Sequence, residues 1–183
     1  MAIKGRVVGV EAFKAKLKEL GEAAAADNLE AAVRAGGLLI LNAAKQNAPK
    51  RTRTLGRSLS METVEKRGDY VLVEIGTNLE YAAIHEFGGT ITPKEKQFLA
   101  IPLTPEARQY VSPTLYPEKL RAVFAGGGSG VLVDAAGEAQ YALTKSATIP
   151  AAPYLRPAFD ENAAAAQDEV GRVLKVLIEQ VAE

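Results

Sequence analysis

Ser58-Leu59-Ser60-Met61-Glu62-Thr63 and Tyr70-Val71-Leu72-Val73-Glu74-Ile75 are two short runs of alternating character joined through Lys66-Arg67-Gly68-Asp69. In the first, Leu59, Met61 and Thr63 fall on one side and Ser58, Ser60 and Glu62 on the other. In the second, Val71, Val73 and Ile75 alternate with Tyr70, Leu72 and Glu74. A period of two on both sides of a short polar turn containing glycine predicts an antiparallel hairpin. Leu72 and Tyr70 make its second face partly apolar, so a covering element is expected there. Outside the hairpin the period changes to that of helices. The fold class is therefore α+β: N-terminal helices, a small antiparallel β-sheet with an elaborated β-rich insertion, and a long C-terminal helix.

Toward the N-terminus, Leu29, Val33, Leu39, Ile40, Ala43 and Ala44 fall near one helical face, predicting a helix from Asn28 to about Ala48. Asp27 is its expected cap, because a carboxylate accepts from an unpaired first-turn N–H. Pro49 ends it by forcing the preceding residue out of the α region. Gly36-Gly37 in its middle costs roughly 1 kcal/mol per glycine relative to alanine, which points to a close backbone approach or a kink. An earlier amphipathic helix is expected over Val10, Phe13, Leu17 and Leu20.

Toward the C-terminus, a short helical or turn segment from Leu79 to Phe87 ends at Gly88-Gly89. The irregular stretch 90–150 offers a strand at Phe98–Ile101, a helical turn opened by Thr104-Pro105-Glu106 and a strand around Leu120–Phe124. A second hairpin pairs Val131–Val133 with Tyr141–Leu143. Asp160–Val181 carries a helical stripe of Val170, Val173, Leu174, Leu177, Ile178 and Val181, with Asp160 and Glu161 suited to the positive N-terminal end. One domain spans 1–183, made of a helical part (5–48), hairpin and corner (57–89), insertion (90–150) and closing helix (156–183).

The chain has 183 residues, 22 Lys+Arg against 22 Asp+Glu, one histidine and no cysteine. Balanced charge argues against a generally cationic nucleic-acid binder while leaving room for a local basic patch. Without cysteine there is no disulfide framework, thiolate metal site or thiol nucleophile. With His85 alone, a multi-histidine metal centre is excluded. Met1–Arg6 lacks the apolar stretch of a secretory signal, and no window approaches the ~18 apolar residues of a membrane helix. Folding in a cytoplasm is expected, with no membrane partner and no cofactor.

His85-Glu86 would need a second histidine one turn later to make a zinc protease motif, and that position is Gly89. The plain reading gives His85 one structural hydrogen bond beside Glu86, at a fold corner or subunit contact. Gly126-Gly127-Gly128-Ser129-Gly130 lacks the lysine and following helix of a phosphate cradle and reads as a flexible connection. Ser58, Ser60, Thr52 and Thr54 have no neighbouring base and suit turn and strand-start hydrogen bonds. Lys45, Lys50, Arg51, Arg53 and Arg57 form a basic stretch without an acidic residue. It is either a solvated loop or an arm that meets phosphate or an acidic protein surface. The absence of an aromatic between Lys45 and Arg57 gives no support to base stacking.

Three segments in order are more telling: Ala48-Pro49-Lys50-Arg51-Thr52-Arg53-Thr54-Leu55 leading into Ser58-Leu59, then Tyr81-Ala82-Ala83-Ile84-His85-Glu86-Phe87-Gly88-Gly89, then Ile149-Pro150-Ala151-Ala152-Pro153-Tyr154-Leu155-Arg156-Pro157-Ala158-Phe159. The series resembles the virion morphogenesis and tail-completion (head–tail joining, neck) proteins of tailed bacteriophages. In that family a Thr-Gly-x-Leu turn precedes the first strand, a Tyr-Ala…Glu-Phe-Gly corner follows, and Pro-Phe/Tyr-Leu-x-Pro-Ala opens the last helix. Arg53 stands where the family usually has its turn glycine, and Gly56 is expected to take over that role. The long stretch between Gly89 and Ile149 looks like the Ile-Pro-Leu…Val-Leu-Val…Leu…Ile-Pro elaboration of Mu-like relatives.

The resemblance implies a non-enzymatic structural protein of the virion neck, present in the host cytoplasm during assembly. It would form a hexameric ring of its own copies, joining head-side connector or adaptor proteins to the tail tube or a tail terminator. A tail terminator capping the tube is the nearest alternative. A DNA-binding accessory protein using residues 45–57 is an alternative of another class, and a hydrolase on His85 and Glu86 is a third. Expected interface residues are Arg51, Arg53, Arg57, Tyr81, His85, Glu86, Phe87, Tyr154, Arg156 and Phe159. Lys50, Arg51 and Arg53 could instead line a lumen through which DNA passes. In the ring reading the basic stretch meets Asp160, Glu161, Asp168 and Glu169 of a neighbour.

Overall fold

The computed structural model describes residues 2–4, 22–67, 70–125 and 128–181. The helix expected over Val10–Leu20 lies outside the described residues, as do Gly68, Asp69, Gly126 and Gly127. The architecture is the expected α+β. Its elements are β1 (Ala2–Lys4), α1 (Glu22–Asn47), α2 (Thr54–Ser58), β2 (Ser60–Arg67), β3 (Tyr70–Gly76), α3 (Ala82–Phe87), β4 (Gly89–Ile91), β5 (Leu99–Pro102), β6 (Arg121–Ala125), β7 (Ser129–Val133), β8 (Ala139–Thr144), β9 (Ala147–Ile149) and α4 (Leu155–Val181). The backbone forms two compact units, 1–87 with 151–183, and 88–150.

In the first unit the hairpin forms with Met61 opposite Ile75 and Thr63 opposite Val73, and β1 adds to the free side of β3. A bulge between Thr63 and Glu65 shifts the register, so that Lys66 rather than Glu65 follows Thr63 on the face below α1. Lys66 there pairs with Asp27 and, at 3.0 Å, with Glu30. Thr63 donates to Glu30 at 2.7 Å and accepts from Arg34 at 3.1 Å. Asp27 is thus not a cap. The helix starts a turn and a half earlier, at Glu22, and the Asp27 carboxylate anchors β2.

Gly36-Gly37 marks close approach. A Cβ on Gly36 would lie 2.5 Å from the Ala166 carbonyl oxygen, and one on Gly37 2.6 Å from Met61 Sδ. The pair lets α4 cross one side of α1 and β2 the other. Leu29, Ala32, Val170 and Leu174 fill one end of the helix contact, and Leu41, Ala44, Ala48, Leu55, Leu59, Ile75, Ala82, Tyr154, Leu155 and Ala158 the other. Leu59, Tyr154 and Leu155 are wholly enclosed, each worth about 2 kcal/mol for its apolar surface taken out of water.

The second unit is a four-stranded antiparallel sheet ordered β5-β8-β7-β6, with β4 and β9 as a separate two-stranded ladder. The expected second hairpin is β7–β8, and Leu132 faces Tyr141. Tyr141 is buried, donates to the Ala107 carbonyl at 2.9 Å and meets the Tyr116 ring edge-on. The turn expected at Thr104 is a short 3₁₀ segment, Ala107–Gln109, whose Ala107 N–H donates to Thr104 Oγ1 at 3.1 Å. Asp134 holds the β7–β8 connection by accepting from Glu138 N–H at 2.9 Å and Gln140 Nε2 at 2.7 Å. These bonds hold its carboxyl below the usual carboxylate range.

Candidate partner-binding surface

The basic stretch is carried on the end of α1 and the short helix that follows. Gly56 brings these together: a Cβ there would sit 3.2 Å from the Lys45 carbonyl oxygen and 3.6 Å from Ala48 Cβ. Leu55 is buried below, so α2 is pinned to the core while its outer side stays free. Lys45, Lys50, Arg51, Arg53 and Arg57 are all exposed. Among the described residues none of the five takes part in an ion pair. Five like charges without counter-charges at one end of a helix form a surface that a polyanion or an acidic protein face would neutralise.

The turn in this loop is made by Arg53 itself, at φ 57° and ψ 5°. It is the one non-glycine residue with positive φ among those described. The expectation that Gly56 takes over the turn is therefore corrected. Gly56 lies inside α2, where its missing Cβ serves close packing, and the left-handed position falls on an arginine. Thr52 Oγ1 accepts from Thr54 N–H at 3.4 Å, and Ser58 donates to the Leu55 carbonyl at 2.8 Å and lies 2.7 Å from Thr77 Oγ1. Thr52 and Ser58 thus do the turn and strand-start work expected of them.

The Tyr81–Gly89 corner is built around a buried carboxylate. Glu86 is 3% exposed and accepts three backbone N–H bonds: from Tyr154 at 2.8 Å and Leu155 at 2.9 Å to Oε2, and from Arg156 at 2.9 Å to Oε1. These are among the N–H groups that the start of a helix leaves without partners. A carboxylate there also complements the positive end of the dipole. Next to it, the His85 carbonyl accepts from Ala152 N–H at 2.8 Å. The long helix accordingly begins at Leu155, more than a turn before the Asp160 start that its stripe suggested. Pro157 in the first turn needs no N–H partner. Gly88, at φ 68°, provides the left-handed exit from α3.

Of the remaining expected interface residues, Tyr81 and Phe87 are 40% and 57% exposed. Arg156 is exposed, while His85 and Phe159 are half-buried. The Tyr81 and His85 rings meet edge-to-face at 5.8 Å. Tyr154 is fully buried, and among the described residues its hydroxyl has no hydrogen-bond partner. Burial, then the nearby Glu86 and Tyr81, pushes that phenol up to about 12. The surface left to a partner at this corner is Tyr81, Phe87 and Arg156. Among the acidic residues expected to receive the basic stretch, Asp160, Glu161 and Asp168 are exposed, whereas Glu169 is bound by its own helix through Arg172 at 2.6 and 2.8 Å. Among the described residues no set of three His, Asp or Glu side chains could hold a metal ion. None of their helices is long and apolar enough to cross a membrane.

Residues 11–88 match the family described as "Bacteriophage HK97-gp10, putative tail-component". The matched region holds the basic loop, the hairpin and the corner up to Gly88. Over those residues the chain is similar to a phage tail component. No curated protein and no solved structure matches it.

Proposed function

We propose that this chain is a non-enzymatic structural protein of a phage or prophage virion, acting in the neck to complete the tail or join it to the head as a hexameric ring. The observation that carries the reading is the tail-component likeness over 11–88. What adds to it is exposed surface in this region: five uncompensated cations on the α1–α2 stretch, and Tyr81 and Phe87 at the corner, where Glu86 is engaged in capping a helix. The partners are copies of itself, head-side connector or adaptor proteins, and the tail tube or its terminator. The insertion is the elaboration that resembles Mu-like relatives. In the ring, the basic loop meets Asp160, Glu161 and Asp168 of the next copy.

The same uncompensated loop favours a second reading, in which Lys50, Arg51 and Arg53 face a lumen and touch DNA. Native mass measurement of the Arg51→Glu, Arg53→Glu double variant separates the two. Loss of the ring supports the contact between copies. An intact ring whose affinity for duplex DNA falls and loses its salt dependence supports the lumen. A ring with unchanged DNA affinity removes the loop from both.

A further inference from the structure

β6 is an unprotected sheet edge. The order β5-β8-β7-β6 leaves two edges, and the first is blunted. Leu103 donates its N–H to the Gln140 carbonyl at 2.9 Å, so the nitrogen of the preceding Pro102 faces outward, where it has no hydrogen to offer. Apart from one charge, Arg121 at its first position, β6 lacks the usual protections among the described residues. Its five residues, Arg121-Ala122-Val123-Phe124-Ala125, are all exposed, pair with β7 without a bulge and include no proline. Val123 and Phe124 are 37% and 54% exposed. Phe124 is nevertheless held: its ring lies 5.3 Å from that of Phe98, and a Cβ on Gly130 would come within 2.7 Å of it. An ordered aromatic on an open edge loses little freedom when something covers it.

We propose that β6 pairs antiparallel with β6 of a second copy, about a two-fold axis at Val123. The sequence of the strand selects this occupant. In that register Ala122 faces Phe124 of the other copy, small against large, and Val123 faces Val123. Arg121 faces Ala125, so the two guanidinium groups lie at opposite ends of the ladder. A parallel pairing in register would set Arg121 against Arg121, and like charges directly opposite are destabilising. Because Pro102 blunts β5, the sheet does not continue head to tail, and a contact through one shared patch closes after two copies. The proposal goes beyond the ring reading and does not rest on it.

The chain has no cysteine, so single cysteines report contacts cleanly. Neighbouring antiparallel pairs alternate between the two ladder geometries, so both central pairs are probed under mild oxidation. Either Val123→Cys alone, or a mixture of Ala122→Cys with Phe124→Cys, gives a covalent product of twice the 19.4 kDa chain mass. It does so roughly tenfold faster than Ala136→Cys on the exposed β7–β8 turn, as proximity requires. Val123 bonds into β7 and Ala122 points its N–H outward, so the blocking variant is Ala122→Pro. In parallel, sedimentation gives the wild type twice the mass of Ala122→Pro, as paired against single chains or paired against single rings, with an unchanged circular dichroism spectrum. A wild type no larger than Ala122→Pro, or cross-linking at both probes no faster than at position 136, overturns the proposal. So does faster self-linking of Phe124→Cys, which would demand another register.

Discussion

At Arg53 the backbone takes a conformation that costs an L-residue with a side chain about 1–2 kcal/mol, one that glycine adopts freely. Arg53→Gly should therefore raise stability by about 1 kcal/mol, read as a higher urea midpoint with an unchanged slope. A lower midpoint would mean that the arginine side chain contributes to the fold. Strain kept on a solvent-facing cation, where glycine would relieve it, fits selection for what that cation touches. Glu86 presents the opposite case, a charged residue turned fully inward. Glu86→Ala leaves three N–H groups at the head of α4 unsatisfied and should cost about 3 kcal/mol or more, with Glu86→Gln intermediate. Equal stability of both variants and the wild type would refute the capping role. The sequence exposes neither residue's part. Glu86 acts on groups 68 to 70 positions away, and local pattern carries no information at that separation.

Among elements, the hairpin, the second hairpin and the alanine-rich helices were legible because each repeats its own period over several residues. Boundaries were less so. The stripe of α4 begins at Val170, yet the helix begins at Leu155, since its first turns pack small residues such as Ala158 and Ala166. Gly36 was readable as a close approach, and Gly36→Ala tests it. Its Cβ would meet the Ala166 carbonyl at 2.5 Å, backbone that cannot rotate away, so a loss of about 1–3 kcal/mol is expected despite the better helix propensity. A stabilising effect would show that α1 and α4 can separate freely. For the β7–β8 connection the lever is pH. The Asp134 carboxyl titrates below its ordinary 3.8 in the folded chain, so its contribution is present above that value and lost as pH falls through the lower folded one. Amide exchange at Gly137 and Glu138 should lose protection in that acid window, and Asp134→Asn should flatten the response.

For the molecule as a whole, composition narrowed the function by subtraction and three short segments supplied the direction. The lack of cysteine removes thiol chemistry and a single histidine removes a multi-histidine metal centre, and the tail-component match over 11–88 falls on two of those three segments. What no sequence pattern gave is how surface is distributed: that β6 lies at an edge with both faces open, that Asp160, Glu161 and Asp168 stay free, and that Tyr154 is sealed inside. Those follow from which segments meet in three dimensions. The central claim, that the chain works as a building block of a virion, is tested most directly by the infectious titre and electron micrographs of particles made without it. The account predicts loss of infectivity, with filled heads and tails accumulating unjoined or tails left incomplete, and rescue when the chain is supplied in trans. Normal titre from intact particles in its absence would contradict it.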